Sequence, residues 1–337
     1  MSFRITIART GRSFPAEGEE SLLDAALRHG VPLRYGCRRG KCSTCKHLVV
    51  KGEVDDHGIS AYALLDDERD EGVTLLCQAF PRSDCLIELV EDGDDVDVEL
   101  PVPRLVGARL AEATALSRSL WSVVLELDEP LDFIAGQYVE VAVPGLPGVT
   151  RPYSVASAAG VGDRLELTVK RIEGGRFSGQ LGSLPPGTPT TVRGPFGEMH
   201  LRRSGRPVTL VGAGSGIGPL LGILRTLAET EPARPARLFY GAATRRDLPY
   251  GDELRRLANA LASFESVITL SRPEPDDGWD GPVGRVAAAL ARSFGDESAI
   301  DAYVCGPPEM CEHVSMFLEA RGVPGRQIHA DGFYAAD

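Results

Sequence analysis

Apolar and polar positions alternate from Phe3 to Ile7 and again up to Ala16, around a Thr10-Gly11 turn. This pattern predicts a hairpin of two short strands over 3–8 and 11–16. From Ser21 to Leu27 the period changes, with apolar residues three and four apart, and a helix is expected until Gly30 and Pro32 stop it. Gly36 to Lys46 has no period and reads as a loop, whereas His47–Val50 and Leu86–Val90 read as strands. The chain then turns acidic through Glu91, Asp92, Asp94, Asp95, Asp97 and Glu99 and reaches Pro101-Val102-Pro103. That composition marks residues 93–103 as a linker after a first unit over 1–92. Residues 104–203 carry short β-rich runs (Trp121–Leu127, Tyr138–Val143, Leu165–Lys170) cut by Gly and Pro, the pattern of an antiparallel barrel. Residues 206–337 alternate strand and helix: Pro207–Val211, Pro219–Ala228, Ala236–Tyr240, Gly251–Leu261, then Ser266–Leu270 and Ala302–Cys305. Such an order predicts a Rossmann-like parallel sheet with helices on both faces. The expected fold class is multidomain, α+β and α/β.

Composition narrows the partners. The 337 residues are 43% hydrophobic and 25% charged, enough for ordinary cores. A net charge of -12 argues against nucleic acid or an anionic membrane as partner. No apolar run approaches the length of about 18 residues that a membrane span requires. The start of the chain lacks the charged-then-apolar order of a secretory signal, so a cytoplasmic location is expected. There, seven cysteines read as thiols or metal ligands rather than as a disulfide frame.

Cys37, Cys42 and Cys45 are spaced C-x4-C-x2-C, and Cys77 follows 32 positions later. This is the spacing of plant-type [2Fe–2S] ferredoxins. Two sulfide-bridged irons need four thiolates converging on a small volume. Gly36 and Gly40 permit a tight loop, and Ser43 and Thr44 keep bulk away. Structural zinc favours paired C-x2-C knuckles, of which there is one here. Cys85 and Cys311 read as small buried residues.

Two further motifs suit nucleotide cofactors. Arg151-Pro152-Tyr153-Ser154 opens a strand in the barrel-like unit. Arg can pair with a diphosphate, Tyr can pack on a flavin ring, and a Ser hydroxyl can bond its reactive nitrogen. Gly174-Gly175 and Ser178, ahead of a helix-like stretch to Leu184, offer an anion site, and Val169 and Lys170 are assigned to the same flavin site. The bland alternative makes Tyr153 a core residue and Ser154 an ordinary strand polar. Strand 208–211 then leads into Gly212-Ala213-Gly214-Ser215-Gly216, whose backbone can approach a diphosphate. Cys305-Gly306-Pro307 ends a later strand, where a small thiol can flank a nicotinamide or merely be buried. No Asp or Glu ends the second strand of this unit, which removes the usual ribose argument for NADH. Arg245 and Arg246 offer a place for the extra phosphate of NADPH.

Together these residues resemble the reductase components of bacterial multicomponent oxygenases, a ferredoxin domain ahead of a ferredoxin-NADP-reductase-like module. Gly40–Lys46, Gly52-Glu53-Val54-Asp55, Ala63–Arg69 and the tail Asp331–Asp337 resemble most the phenol hydroxylase type. The resemblance implies a β-grasp ferredoxin domain, an FAD barrel and an NAD domain. It also implies an NADH:acceptor oxidoreductase, monomeric and without a membrane, whose electrons pass from NADH to FAD to [2Fe–2S]. The acceptor implied is the hydroxylase of a soluble diiron monooxygenase of phenol, alkane or alkene type. By this resemblance Arg151, Tyr153 and Ser154 bind FAD, Gly212–Gly216 and Cys305–Pro307 meet NADH, and Phe333 lies near the flavin. Ala213, Gly332 and Ala243 depart from the pattern, and NADPH stays open. A Rieske dioxygenase reductase is the rival enzyme, and a redox or metal-binding sensor the non-enzymatic one.

Overall fold

The computed structural model describes residues 2–31, 33–89, 100–276 and 278–334. They form two compact units, Met1–Pro103 and Arg104–Asp337. Val90, the acidic run 91–99 and the last three residues lie outside the described residues.

The first unit contains β1 (Ser2–Ile7), β2 (Ser13–Glu17), α1 (Leu22–Arg28), β3 (Lys46–Lys51), β4 (Val54–Asp56), α2 (Asp66–Asp70), β5 (Val73–Leu75), β6 (Ala79–Pro81) and β7 (Cys85–Glu88). The main sheet runs β2-β1-β7-β3-β5, parallel only between β1 and β7. Ser21 caps α1 by accepting the Asp24 N–H at 3.1 Å, and the helix buries Leu22, Leu23, Ala25, Ala26 and Leu27. β3 starts directly after Cys45, and β5 ends two residues before Cys77. The register Lys46↔Leu75, with Leu76 N–H donating to the Cys45 carbonyl at 3.0 Å, fixes these cysteines at one end of a strand pair.

In the second unit β8 (Arg104–Ala115), β9 (Leu120–Phe133), β10 (Tyr138–Ala142), β11 (Thr150–Ser154), β12 (Gly160–Lys170) and β13 (Pro189–Phe196) form an antiparallel sheet, β11-β10-β13-β8-β9-β12. A bridge from Val155 to Leu167 curls its two edges toward each other, around Val123, Leu125, Val139, Leu165 and Leu167.

β14 (Val208–Ala213), α3 (Ile217–Thr230), β15 (Ala236–Ala242), α4 (Gly251–Ala260), β16 (Phe264–Leu270), α5 (Val286–Ser293), β17 (Asp301–Gly306), α6 (Pro308–Ala320) and β18 (Ile328–Gly332) follow. All pairs in the sheet β16-β15-β14-β17-β18 are parallel. Leu210, Leu238 and Tyr303 join one core, and their neighbours Val211, Phe239 and Val304 join the other. That alternation is how one sheet carries helices on both faces. The strand order reverses between β14 and β17, the point where dinucleotides bind in such sheets. α3 is buried on nearly every side because it also faces the barrel. Gly218 and Gly222 let it approach: a Cβ at Gly218 would meet the Thr168 Cβ at 2.8 Å, and one at Gly222 the Val155 carbonyl at 3.0 Å.

Between barrel and sheet, His200 is 2% exposed. Burial, and then the Arg202 guanidinium, hold its pKa down to about 3. The unfolded chain therefore binds one more proton below about pH 6.5, and stability present above that pH is lost as pH falls. Lowering the pH from 6.5 to 5 is expected to cost about 2 kcal/mol through this residue. Denaturant titrations of the wild type and of His200→Gln check it: the substitution should flatten the slope by about one proton.

Candidate functional site

In the first unit the cysteine loop wraps between α1 and β3. Cys37 N–H donates to Cys42 Sγ at 3.3 Å, and the Arg39 and Lys41 amides each donate to Cys37 Sγ at 3.4 Å. The Thr44 hydroxyl donates to Cys42 Sγ at 3.3 Å, and Ser43 Oγ donates to the Ala63 carbonyl at 2.8 Å. Gly40 has φ +68°, and a side chain there would strike the Gly58 carbonyl at 2.7 Å. At Gly36 the need is space, since a Cβ would sit 3.1 Å from Cys42 Sγ.

The thiols influence one another as two close pairs, Cys37 with Cys42 and Cys45 with Cys77. In the first, the hydrogen bond from Cys37 and then that from Thr44 hold the Cys42 pKa at about 5 against burial, while Cys37 is pushed up. In the second, the bond from Cys45 lowers Cys77, aided by the Gly40 amide, while Cys45 is raised. Among the described residues no three His, Cys, Asp or Glu side chains converge as a single ion would require. Two pairs of thiols, with amides aimed at their sulfurs, fit a two-iron cluster better than one zinc. Cys85 is buried in the first unit and Cys311 in the second.

The second unit gathers the nucleotide motifs around the sheet's switch point. Gly212 stands in register with Cys305, and Phe333 N–H donates to the Gly306 carbonyl at 2.8 Å. A Cβ on Gly216 would lie 2.0 Å from the Cys305 carbonyl, so the glycine turn presses directly on the end of β17. Cys305 is fully buried, and burial raises its pKa well above the ordinary thiol value. It is a neutral packing group, not a nucleophile.

A cleft of about 1150 Å³ opens at the C-terminal ends of the strands. It is lined by Lys170 and Gly174 from the barrel side and by Gly214 and Pro307 from the sheet side. Its size suits a dinucleotide. Ser215 is half-buried on the glycine turn, between Gly214 and Gly216. Arg151, Pro152, Tyr153 and Ser154 occupy β11 and do not line this cleft. Tyr153 is half-buried with its ring 5.4 Å from that of Phe177, and Ser154 is 6% exposed opposite Tyr138. Val169 is buried in the barrel core.

Around Gly175 the backbone is close-packed, a Cβ there meeting Ser178 Oγ at 2.6 Å. The helix expected to run on toward Leu184 is a single 3₁₀ turn, Ser178–Gln180, because Gly182 (φ +89°) and Pro185-Pro186 end it. Gly174-Gly175 therefore offers loop amides and no helix N-terminus.

Arg245 and Arg246 also sit outside the cleft lining. Arg245 donates to the Gly278 carbonyl at 3.3 Å, and Arg246 lies 3.8 Å from Glu274. Apart from Lys170, the positive charge in the cleft comes from residues the pattern did not single out, among them Arg118, Arg171, Arg272 and Arg285. They sit at strand ends and turns, where no periodicity points to them.

Comparison with known proteins gives the same three parts in the same order. Residues 5–82 match a 2Fe-2S iron-sulfur cluster binding domain, 107–201 an oxidoreductase FAD-binding domain and 210–316 an oxidoreductase NAD-binding domain. The chain is 37% identical to the reductase component of propane 2-monooxygenase from Mycolicibacterium smegmatis, over 94% of this chain and 92% of that protein. It is 36% identical to the reductase component of phenol 2-monooxygenase from Pseudomonas sp. strain CF600, over 100% and 96%. The solved structure of an Amycolatopsis cytochrome P450 reductase superposes with a TM-score of 0.87 at 33% identity, covering 98% of both chains. The chain belongs to the iron–sulfur flavoprotein reductases that serve as reductase components of multicomponent oxygenases.

Proposed function

We propose that this reductase carries electrons from NADH to the hydroxylase of a soluble diiron monooxygenase. The observation that carries the reading is the near-complete match to propane and phenol monooxygenase reductases, together with the two thiol pairs at the loop. In this reading Cys37, Cys42, Cys45 and Cys77 hold the cluster. Arg151, Tyr153 and Ser154, with Lys170 and the Gly174 loop, hold FAD. The Gly212–Gly216 turn receives the coenzyme diphosphate, and Cys305, Gly306 and Phe333 border the place where ring meets ring. Bound FAD accepts electrons in pairs and the cluster passes them on singly. The protein fixes distance and excludes water: α3 seats the glycine turn against β12 through Gly218 and against the backbone of Val155 to Ser157 through Gly222, and buried Cys305 fills the space beside Gly212 without reacting.

The domain limits that go with this reading are 1–92, 104–203 and 206–337, with a linker over 93–103. No helix among the described residues is long and apolar enough to cross a membrane. The protein then works in the cytoplasm as a monomer, without nucleic acid or membrane.

A second acceptor class is favoured by the Amycolatopsis structure, a reductase for a cytochrome P450. Steady-state reconstitution separates them. Supplied with NADH and substrate, a diiron hydroxylase should form product in step with coenzyme consumed. Coupling to a cytochrome P450 or a Rieske oxygenase instead would replace the proposed partner. Purified protein holding zinc and no acid-labile sulfide would refute the cluster itself.

A further inference from the structure

We propose that Tyr250 is a positioning residue for electron entry. Its phenol, bonded to Thr168 and Glu166, holds the start of α3, and with it the Gly212–Gly216 turn, at a fixed distance from the barrel. The inference deepens the coenzyme assignment above and rests on it.

Tyr250 immediately precedes α4 and has φ +58°. A bulky side chain rarely adopts this left-handed conformation, which persists only where the surroundings impose it. Here the surroundings are a hydroxyl and a carboxylate on β12. Burial, and then the Glu166 carboxylate, push the Tyr250 pKa up, so the phenol keeps its proton. It donates to Glu166 Oε1 at 3.1 Å, which leaves the Thr168 hydroxyl to donate to the phenol oxygen at 2.8 Å. Ser122 on β9 donates to the same carboxylate oxygen at 2.9 Å.

These partners lead toward the cleft. Leu165, Leu167 and Val169 belong to the barrel core, so Glu166, Thr168 and Lys170 share the other face of β12. Lys170, the last of that row, lines the cleft. Thr168 is 3% exposed, and the start of α3 presses on it: a Cβ on Gly218 would meet its Oγ1 at 2.9 Å. Thr168 therefore touches both Tyr250 and the helix that follows the glycine turn.

Arg225 on α3 closes the set. Its Nη1 donates to Glu166 Oε2 at 2.6 Å and to the Ala156 carbonyl at 2.8 Å. Its Nε donates to Glu253 Oε1 on α4 at 3.0 Å, and its guanidinium lies 6.0 Å from the centre of the Tyr250 ring. The barrel, α3 and the start of α4 thus meet at Glu166. Neither Tyr250 nor Thr168 lines the cleft. Loosening their bond shifts the glycine turn and removes no group that binds the coenzyme. The effect falls on the rate of transfer rather than on affinity.

The test is anaerobic flavin reduction in the holoenzyme over a range of NADH concentrations, which separates the limiting rate from Kd. Tyr250→Phe keeps the ring and its packing and removes only the hydroxyl. Its limiting rate should fall about 10-fold with Kd within about twofold, short of the loss of about 100-fold that a misplacement of about 1 Å can cause. Thr168→Val should do the same, and Thr168→Ser should recover most of the rate. The double variant Tyr250→Phe/Thr168→Val should be no slower than the slower single, because both remove one bond. A wild-type limiting rate in Tyr250→Phe, a change confined to Kd, or losses that multiply in the double variant would overturn the inference. Loss of FAD from Tyr250→Phe would overturn it too, by showing a structural role. If NADH does not reduce the flavin of the wild type, the coenzyme assignment falls and the positioning role falls with it.

Discussion

Replacing Cys42 by alanine is expected to abolish NADH-driven reduction of cytochrome c and to spare NADH-driven reduction of ferricyanide. The four cysteines are not equally informative targets. Cys45 and Cys77 are 2% and 6% exposed and sit at the end of the β3–β5 pair, so their loss also damages the core of the first unit. Cys42 is half-buried, and its sulfur is held by the Cys37 amide and the Thr44 hydroxyl. Alanine there removes one thiolate and leaves a small void near solvent. Without that ligand the first thiol pair cannot hold its iron. The cytochrome c rate should then fall to below about a hundredth of the wild-type value, equivalent to about 2.7 kcal/mol in barrier height. Ferricyanide tests the other half of the path. The glycine turn, Cys305 and the barrel all lie in the unit Arg104–Asp337, while Cys42 lies in Met1–Pro103. The ferricyanide rate should stay within about twofold, as expected for sites that share no partners. Retained cytochrome c activity would show that electrons leave from the flavin directly. Loss of both activities would show that the cluster loop supports the flavin unit.

Some of this chemistry was legible in the sequence because chemistry fixes it there. Three cluster thiols must lie on one loop, and their spacing survives in linear order. Cys77 is different: it reaches the loop only because Lys46 pairs with Leu75, a register that no local pattern reveals. The glycine turn was legible because strand, turn and helix are contiguous. The helix expected after Gly174 was not there, since Gly182 and Pro185 outweigh the apolar spacing. The paired three-residue strands Val54–Asp56 and Ala79–Pro81 are too short to show alternation. Charge misled in a similar way. Arg245 and Arg246 follow the second strand in sequence, yet the cleft is lined by Arg272, whose amide bonds the Ala243 carbonyl, and by Arg285, which follows the Gly284 amide bonded to Leu270. Sequence carries the identity of a residue well, and its distance from a strand end in another segment poorly.

The same logic gives the largest effect expected in the second unit, which comes from adding a single methyl group. In Gly216→Ala the new Cβ would lie 2.0 Å from the Cys305 carbonyl oxygen and 2.6 Å from its carbon. Both are backbone atoms of a strand paired on each side, so neither can swing away. The start of α3 must instead lift from β17, carrying the glycine turn with it. Overpacking of this kind costs about 1–3 kcal/mol of stability. Its functional cost is larger, since a misplacement of about 1 Å can slow a positioned reaction about 100-fold. Gly214→Ala is the informative control. Gly214 has φ +58°, which strains an alanine by about 1–2 kcal/mol, but no atom lies within 4 Å of its Cβ. The two substitutions thus have similar effects on stability and different effects on geometry. Anaerobic bleaching of the flavin by NADH should be about 100-fold slower in Gly216→Ala and only a few-fold slower in Gly214→Ala. Dithionite, which needs no coenzyme site, should bleach both fully. Equal NADH rates in the two variants would mean that the coenzyme diphosphate does not bind at the turn that Gly216 presses against β17.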